Sequence, residues 1–193
     1  MMIRVKTFSA PPVNIKEVVR YAGGGDEALV FECIKESEPV LSYKVCYAIT
    51  DVSVNDGIVD LGFARVESRS LSKNLESCSK AIVFAATVGV GMDRLIGKYS
   101  IISPSRAVLL QALGSERVES LCDEFEGYIK SENSEMLSRP RFSPGYGDLP
   151  LEFQKEVFRL LDCPKHIGVS LGEGLLMSPS KSVTAIIGFG EKQ

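Results

Sequence analysis

The sequence predicts an α+β fold, one domain over residues 1–193 with a mixed, largely antiparallel sheet and flanking helices. Three stretches predict it. From Leu41 the apolar residues recur at every second position, with Tyr43, Val45, Tyr47 and Ile49 on one face, before a turn at Asn55-Asp56-Gly57. "AIVFAATVG", Ala81 to Gly89, is apolar at successive positions, as a strand covered on both faces requires. From Pro104 to about residue 131 the apolar positions recur at helical spacing. Strands interleaved with helices, with hairpin-like neighbours and no repeat or linker, fit one mixed domain.

The elements follow in order. Asn14 and Glu17 form a capping box for a helix over 15–22, with Ile15, Val18 and Val19 on one face, and the run Gly23 to Gly25 stops it. No strand feeds those glycines and no Lys-Ser/Thr follows, so they do not read as a phosphate cradle. Asp26 caps a second helix to about Ser37, with Ala28, Leu29, Phe31 and Ile34 as its expected buried set. After the hairpin, "SLSKNLESCSK" reads as a short helix, and a third helix follows Gly91, from Met92 to about Lys98. Pro104, behind Ser103 as a possible cap, opens the longest helix; Leu110, Leu113, Val118, Leu121, Cys122, Phe125 and Ile129 form its stripe, interrupted near Gly114. "LEFQKEVFRLLDC" is a helix with Phe153, Val157, Leu160 and Leu161 inward, and the chain closes with two strands around Pro179-Ser180.

A net charge of -3 and a pI near 5.4, with Lys and Arg scattered, leave no electrostatic footprint for nucleic acid or an anionic membrane. The longest apolar runs fall short of the roughly 20 residues that span a bilayer, and the amino terminus lacks a signal-peptide core, so the expected location is the cytoplasm. Five scattered cysteines and the single His166 fit buried, reduced thiols better than a disulfide framework or zinc site.

Three features invite chemistry. Gly89-x-Gly91 follows a strand and precedes a helix, but Arg94 stands where a dinucleotide fingerprint needs its third glycine, and no acidic residue ends a strand downstream. It reads as a tight turn. His166 has no nucleophile elbow to serve and reads as a packed or surface residue. The loop "RFSPGYG" is different. Pro144 and Gly145 fix a turn, and Arg141 and Tyr146 flank it at a set spacing. A guanidinium on a stiff loop suits bidentate capture of a carboxylate, and a tyrosine offers a ring face and a hydroxyl. An ordinary Pro-Gly turn with solvated ends explains the same residues.

The run "RFSPGYGDLPLEFQKEVFRLL", followed by "KHIGVSLGEGLLMSPSKSVTAIIG", resembles the carboxy-terminal activation domain of cobalamin-dependent methionine synthase, and "AATVGVGMDRLIGKYS" and "ALGSERVESL" occur in that family's order. The resemblance implies S-adenosylmethionine (AdoMet) as ligand. Arg141 would hold its methionine carboxylate, Tyr146 would line the pocket with Phe142 and Gly145 of the same loop, and Glu119 matches a ligand-facing family glutamate. A solvated Glu119 stays open. Asn14 falls where the family has a ligand-contacting aspartate, and here it also reads as a helix cap. The sequence stops at Gln193, where the family continues to a tyrosine-bearing strand, and it contains no D-x-H-x-x-G cobalamin-ligand motif.

The implied role is reductive reactivation: one electron takes cob(II)alamin to cob(I)alamin, which AdoMet then methylates. The cobalamin would be carried by a corrinoid protein or a cobalamin-dependent methionine synthase lacking its own activation domain, and flavodoxin or ferredoxin would be the electron donor. Such an accessory component of methyl transfer needs no acid or base. An AdoMet-sensing regulatory module uses the same loop. A Rossmann-type methyltransferase would rest on Gly89-x-Gly91, and a relative that has lost AdoMet also fits.

Overall fold

A computed structural model describes residues 1–24 and 26–191. β1 (Arg4–Phe8) leads to α1 (Ile15–Ala22), where Asn14 accepts a hydrogen bond from the Glu17 amide at 3.3 Å and Gly23, at φ 74°, ends the helix. Gly25 lies outside the described residues. α2 (Glu27–Ser37) begins at Asp26 as expected, but it buries Val30, Cys33 and Ser37 and leaves Ala28 and Phe31 exposed. Its charged face fixes that rotation: Glu32 pairs with Arg106, and Glu36 with Lys98 and the Tyr99 hydroxyl.

β2 (Tyr43–Asp51) turns Tyr43, Val45 and Tyr47 inward, while Ile49 near its end is exposed. Cys46 and Ala48 are buried on its other face, because β2 lies inside the sheet. The expected turn joins shorter strands, β3 (Ser53–Asn55) and β4 (Ile58–Asp60), across Asp56 and Gly57. Both residues have positive φ, 48° and 82°, as a two-residue hairpin of matching twist demands. β5 (Arg65–Glu67) completes this small sheet and α3 (Arg69–Asn74) follows it.

β6 (Cys78–Thr87) is the central strand, buried on both faces from Ala81 onward. α4 (Val90–Ile102) is longer than the sequence signal, and α5 (Pro104–Glu132) runs 29 residues with every expected stripe position buried. Then come β7 (Met136–Ser138), a short 3₁₀ turn at Leu151–Phe153, α6 (Gln154–Leu161), α7 (Cys163–Ile167), β8 (Ser170–Leu171), β9 (Met177–Ser178) and β10 (Ser182–Glu191). Leu160 is only partly buried, because Phe158 takes its place in the inward stripe. Before Pro179, the tiny β9 pairs back with β8 and not with β10.

The main sheet has the order β1-β2-β6-β10-β7, and every pairing is antiparallel. The helix-rich layer α1, α2, α4 and α5 packs on one face, where Phe125 meets Phe84 and Tyr47 at ring-centroid separations of 4.8 and 5.1 Å. The other face carries α3, the small sheet, α6 and α7. Burying a large apolar side chain such as Leu110 or Phe125 contributes roughly 1.5–3 kcal/mol each, so the long helix anchors its layer. Beneath it lies a buried ion pair. Arg117 donates to Glu116 at 2.6 Å and to the Pro11 and Pro12 carbonyls at 2.6 and 2.8 Å, while Glu116 accepts the Asn14 amide at 2.9 Å. This network fastens the amino-terminal segment to α5.

Candidate functional site

The loop after β7 runs along the outer edge of β10. Arg139 donates its amide to Gly188 at 2.8 Å, and Phe142 and Ile186 exchange backbone bonds of 2.8 and 2.9 Å. Strand alternation then sends successive side chains to opposite faces. Arg141 turns toward α5, and Phe142 packs into the layer that holds α6. Beyond them the chain folds on itself: Tyr146 donates to Ser143 at 3.1 Å, Gly145 to Leu149 at 2.9 Å and Leu149 to Tyr146 at 3.0 Å.

Two glycines make this possible. Gly145 and Gly147 sit at φ 92° and 55°, and a Cβ on Gly147 would lie 2.5 Å from the Ser70 hydroxyl. Asp148 ties the loop down. Its carboxylate accepts from the Ser68 hydroxyl at 2.5 Å and from the Arg69 and Ser70 amides at 2.8 and 3.0 Å, at the start of α3. The Ser68 hydroxyl, then the Ser70 and Arg69 amides, hold this carboxyl well below the ordinary range.

Glu119, Asp123 and Glu126 recur on α5 at spacings that put them on one face. All three reach Arg141, at 2.6, 2.7 and 2.5 Å. Burial works against the Arg141 charge, but the bonds to Asp123, Glu126 and Glu119 outweigh it and hold the guanidinium above its usual value. Three carboxylates face one guanidinium, so the cluster leans negative.

Beside this cluster opens a cleft of about 570 Å³, whose walls include Glu119, Arg141, Phe142, Tyr146, Gln154 and Thr184. Phe142 and Tyr146 stand edge to face, 6.3 Å between centroids, and Tyr146 is largely exposed at the mouth. Four of the six residues singled out from sequence thus line one cavity. Gly145 shapes the loop without lining it, and its place in the wall is taken by Gly147. Asn14 is not among the lining residues: its side chain caps α1 and its amide is bound to Glu116.

Sequence reading missed Gln154, Thr184 and Ser70. Gln154 had a signal, a polar residue on the stripe shared by Val157, Phe158 and Leu161. Thr184 had one too, a hydroxyl inside a buried strand. Ser70 had none, because only the fold brings α3 to the loop. Gly89-x-Gly91 is settled by packing. Cβ atoms there would lie 2.4 Å from the Ser42 hydroxyl and 2.1 Å from the Val40 carbonyl, and the sheet is antiparallel where a dinucleotide fold is parallel.

Residues 73–193 match the family described as vitamin B12 dependent methionine synthase, activation domain. The chain belongs to this family. Among solved structures the fold is similar to the crystal structure of the MetH reactivation domain bound to AdoHcy. The TM-score is 0.76 at 12% identity, over 100% of this chain and 80% of that one. No curated protein matches the chain. The activation-domain match takes in Glu119, Arg141, Phe142, Gly145 and Tyr146, and leaves Asn14 outside. Among the described residues no helix is long and apolar enough to cross a membrane.

Proposed function

We propose that this activation-domain chain binds AdoMet in the cleft at Arg141 and Tyr146, and presents its methyl group for reductive methylation of cob(II)alamin on another protein. The partner is a corrinoid methyltransferase such as a cobalamin-dependent methionine synthase lacking its own activation domain. Cobalamin supplies the methyl-accepting cobalt, AdoMet the methyl group, and a donor such as flavodoxin or ferredoxin the single electron. The observation that carries this reading is the convergence of Arg141, Glu119 and two aromatic rings on one cleft.

The charges suit the ligand. AdoMet carries one carboxylate against an ammonium and a sulfonium, so a guanidinium set in an excess of carboxylates complements both signs. Arg141 must exchange a protein carboxylate for the ligand's. Asp123, with a side chain 71% exposed, is the partner that water most readily solvates once released. Glu119, 44% exposed and lining the cleft, is placed to accept from the ammonium. Methyl transfer moves no proton, so the residues have only to bind, orient and exclude water. A loop pinned by Asp148 suits that task.

Calorimetric titration of AdoMet tests the reading. Saturable binding by the wild type, weakened roughly 10-fold or more in Arg141→Ala, is expected for the loss of a charge-assisted pair. An unmodified protein that takes up no AdoMet would contradict it.

A further inference from the structure

Two buried polar atoms in the cleft wall have no hydrogen-bond partner: Gln154 Oε1 and Thr184 Oγ1. Their residues are 6% and 2% exposed. Buried polar groups are nearly always paired, so two orphans on residues that line one cavity mark groups that a ligand can complete. Both atoms lie on the side of the loop away from the charges. Phe142 and Ile186 face the α6 layer, Thr184 stands two residues before Ile186 on β10 and so shares its face, and Gln154 opens α6. Thr184 also lies beyond the last backbone bond that the loop makes to β10. The cleft therefore has a charged side, Arg141 with Glu119, and a neutral hydrogen-bonding side, separated by the aromatic loop.

We propose that Gln154 and Thr184 bind the nucleoside half of the ligand. Gln154 Oε1 accepts an N–H or O–H from the base or ribose, and the Thr184 hydroxyl pairs with a second group of the same moiety. This rests on the AdoMet reading above and extends it: the charged side holds the methionyl group, and the neutral side selects for an adenosyl group over a plain amino acid.

The test combines AdoMet titration with thermal melting of the ligand-free protein, using Thr184→Val, Gln154→Met and Thr184→Ser. Removing an unpaired buried polar atom leaves the melting temperature unchanged or raised, whereas losing a ligand hydrogen bond weakens AdoMet binding about 3- to 10-fold. The expected result is that opposite response in Thr184→Val and Gln154→Met, with near wild-type binding in Thr184→Ser and the same losses for S-adenosylhomocysteine. If the wild type binds AdoMet and both variants bind it equally well, this assignment is overturned while the AdoMet reading stands. A marked fall in ligand-free melting temperature in both variants also overturns it, since the atoms would then serve the fold. A wild type that binds no AdoMet removes the reading and the assignment together.

Discussion

Arg141 has two jobs that pull against each other. In the ligand-free protein its guanidinium pairs with Glu119, Asp123 and Glu126 across the helix-to-loop gap and offsets part of their charge, and in the proposed complex it gives part of that capacity to a carboxylate. Arg141→Ala is therefore expected to lower stability as well as binding, by about 1–3 kcal/mol, because three carboxylates lose their shared cation. Urea denaturation measures this. Arg141→Lys separates the two roles: it keeps the charge, and so most of the stability, but loses the planar fork and with it AdoMet affinity. Equal stability loss in the Lys and Ala variants would argue against the charge account. The shared place of Arg141 and Tyr146 at one cleft was legible in the sequence because a rigid Pro-Gly turn displays its neighbours, whereas their ligand role came only from the resemblance. Gln154 and Thr184 were not singled out, because a polar residue on a buried stripe declares itself only when its missing partner is seen.

At the scale of elements, the loop owes its rigidity to Asp148 and the start of α3 as much as to Pro144 and Gly145. The Asp148 pKa is depressed by the Ser68 hydroxyl first, then by the Ser70 and Arg69 amides. A depressed folded-state pKa means that the contribution to stability is complete above the unfolded value, near pH 4, and is lost as pH falls further toward the folded value. Asp148→Asn is expected to lower the melting temperature at neutral pH and to flatten its decline below about pH 4; an unchanged acid limb would count against the anchor. The α5 helix offers a second test. Arg117→Ala strands Glu116 and two proline carbonyls in a buried setting and is expected to cost about 3–5 kcal/mol in denaturant unfolding, whereas a solvated arginine would cost almost nothing. Helix and strand positions were largely legible, since caps such as Asn14 and Asp26 and the breadth of the Ala81–Thr87 apolar run are local signals. The rotation of α2 was not. Val30, Cys33 and Ser37 face inward because Glu32 and Glu36 meet Arg106 and Lys98, partners distant in sequence. The strand order and the role of Arg117 are likewise products of long-range contacts.

For the molecule as a whole, the antiparallel sheet lies between two hydrophobic layers, and the cleft forms where the loop crosses its edge from one layer to the other. That placement lets α5 supply charge, the loop rings, and β10 and α6 neutral polar groups within one cavity. Membership of the activation-domain family agrees with the proposed function, and the likeness to a solved reactivation domain agrees with the fold. The most direct test is transfer of the methyl group from methyl-labelled AdoMet to a corrinoid partner held as cob(II)alamin, with reduced flavodoxin or ferredoxin, in the presence and absence of this protein. The account predicts protein-dependent appearance of label on cobalt, with one S-adenosylhomocysteine formed per methyl group and strong impairment in Arg141→Ala. Label reaching cobalt equally well without the protein, or AdoMet binding with no transfer to any corrinoid partner tested, would contradict it, the latter pointing to an AdoMet-sensing module.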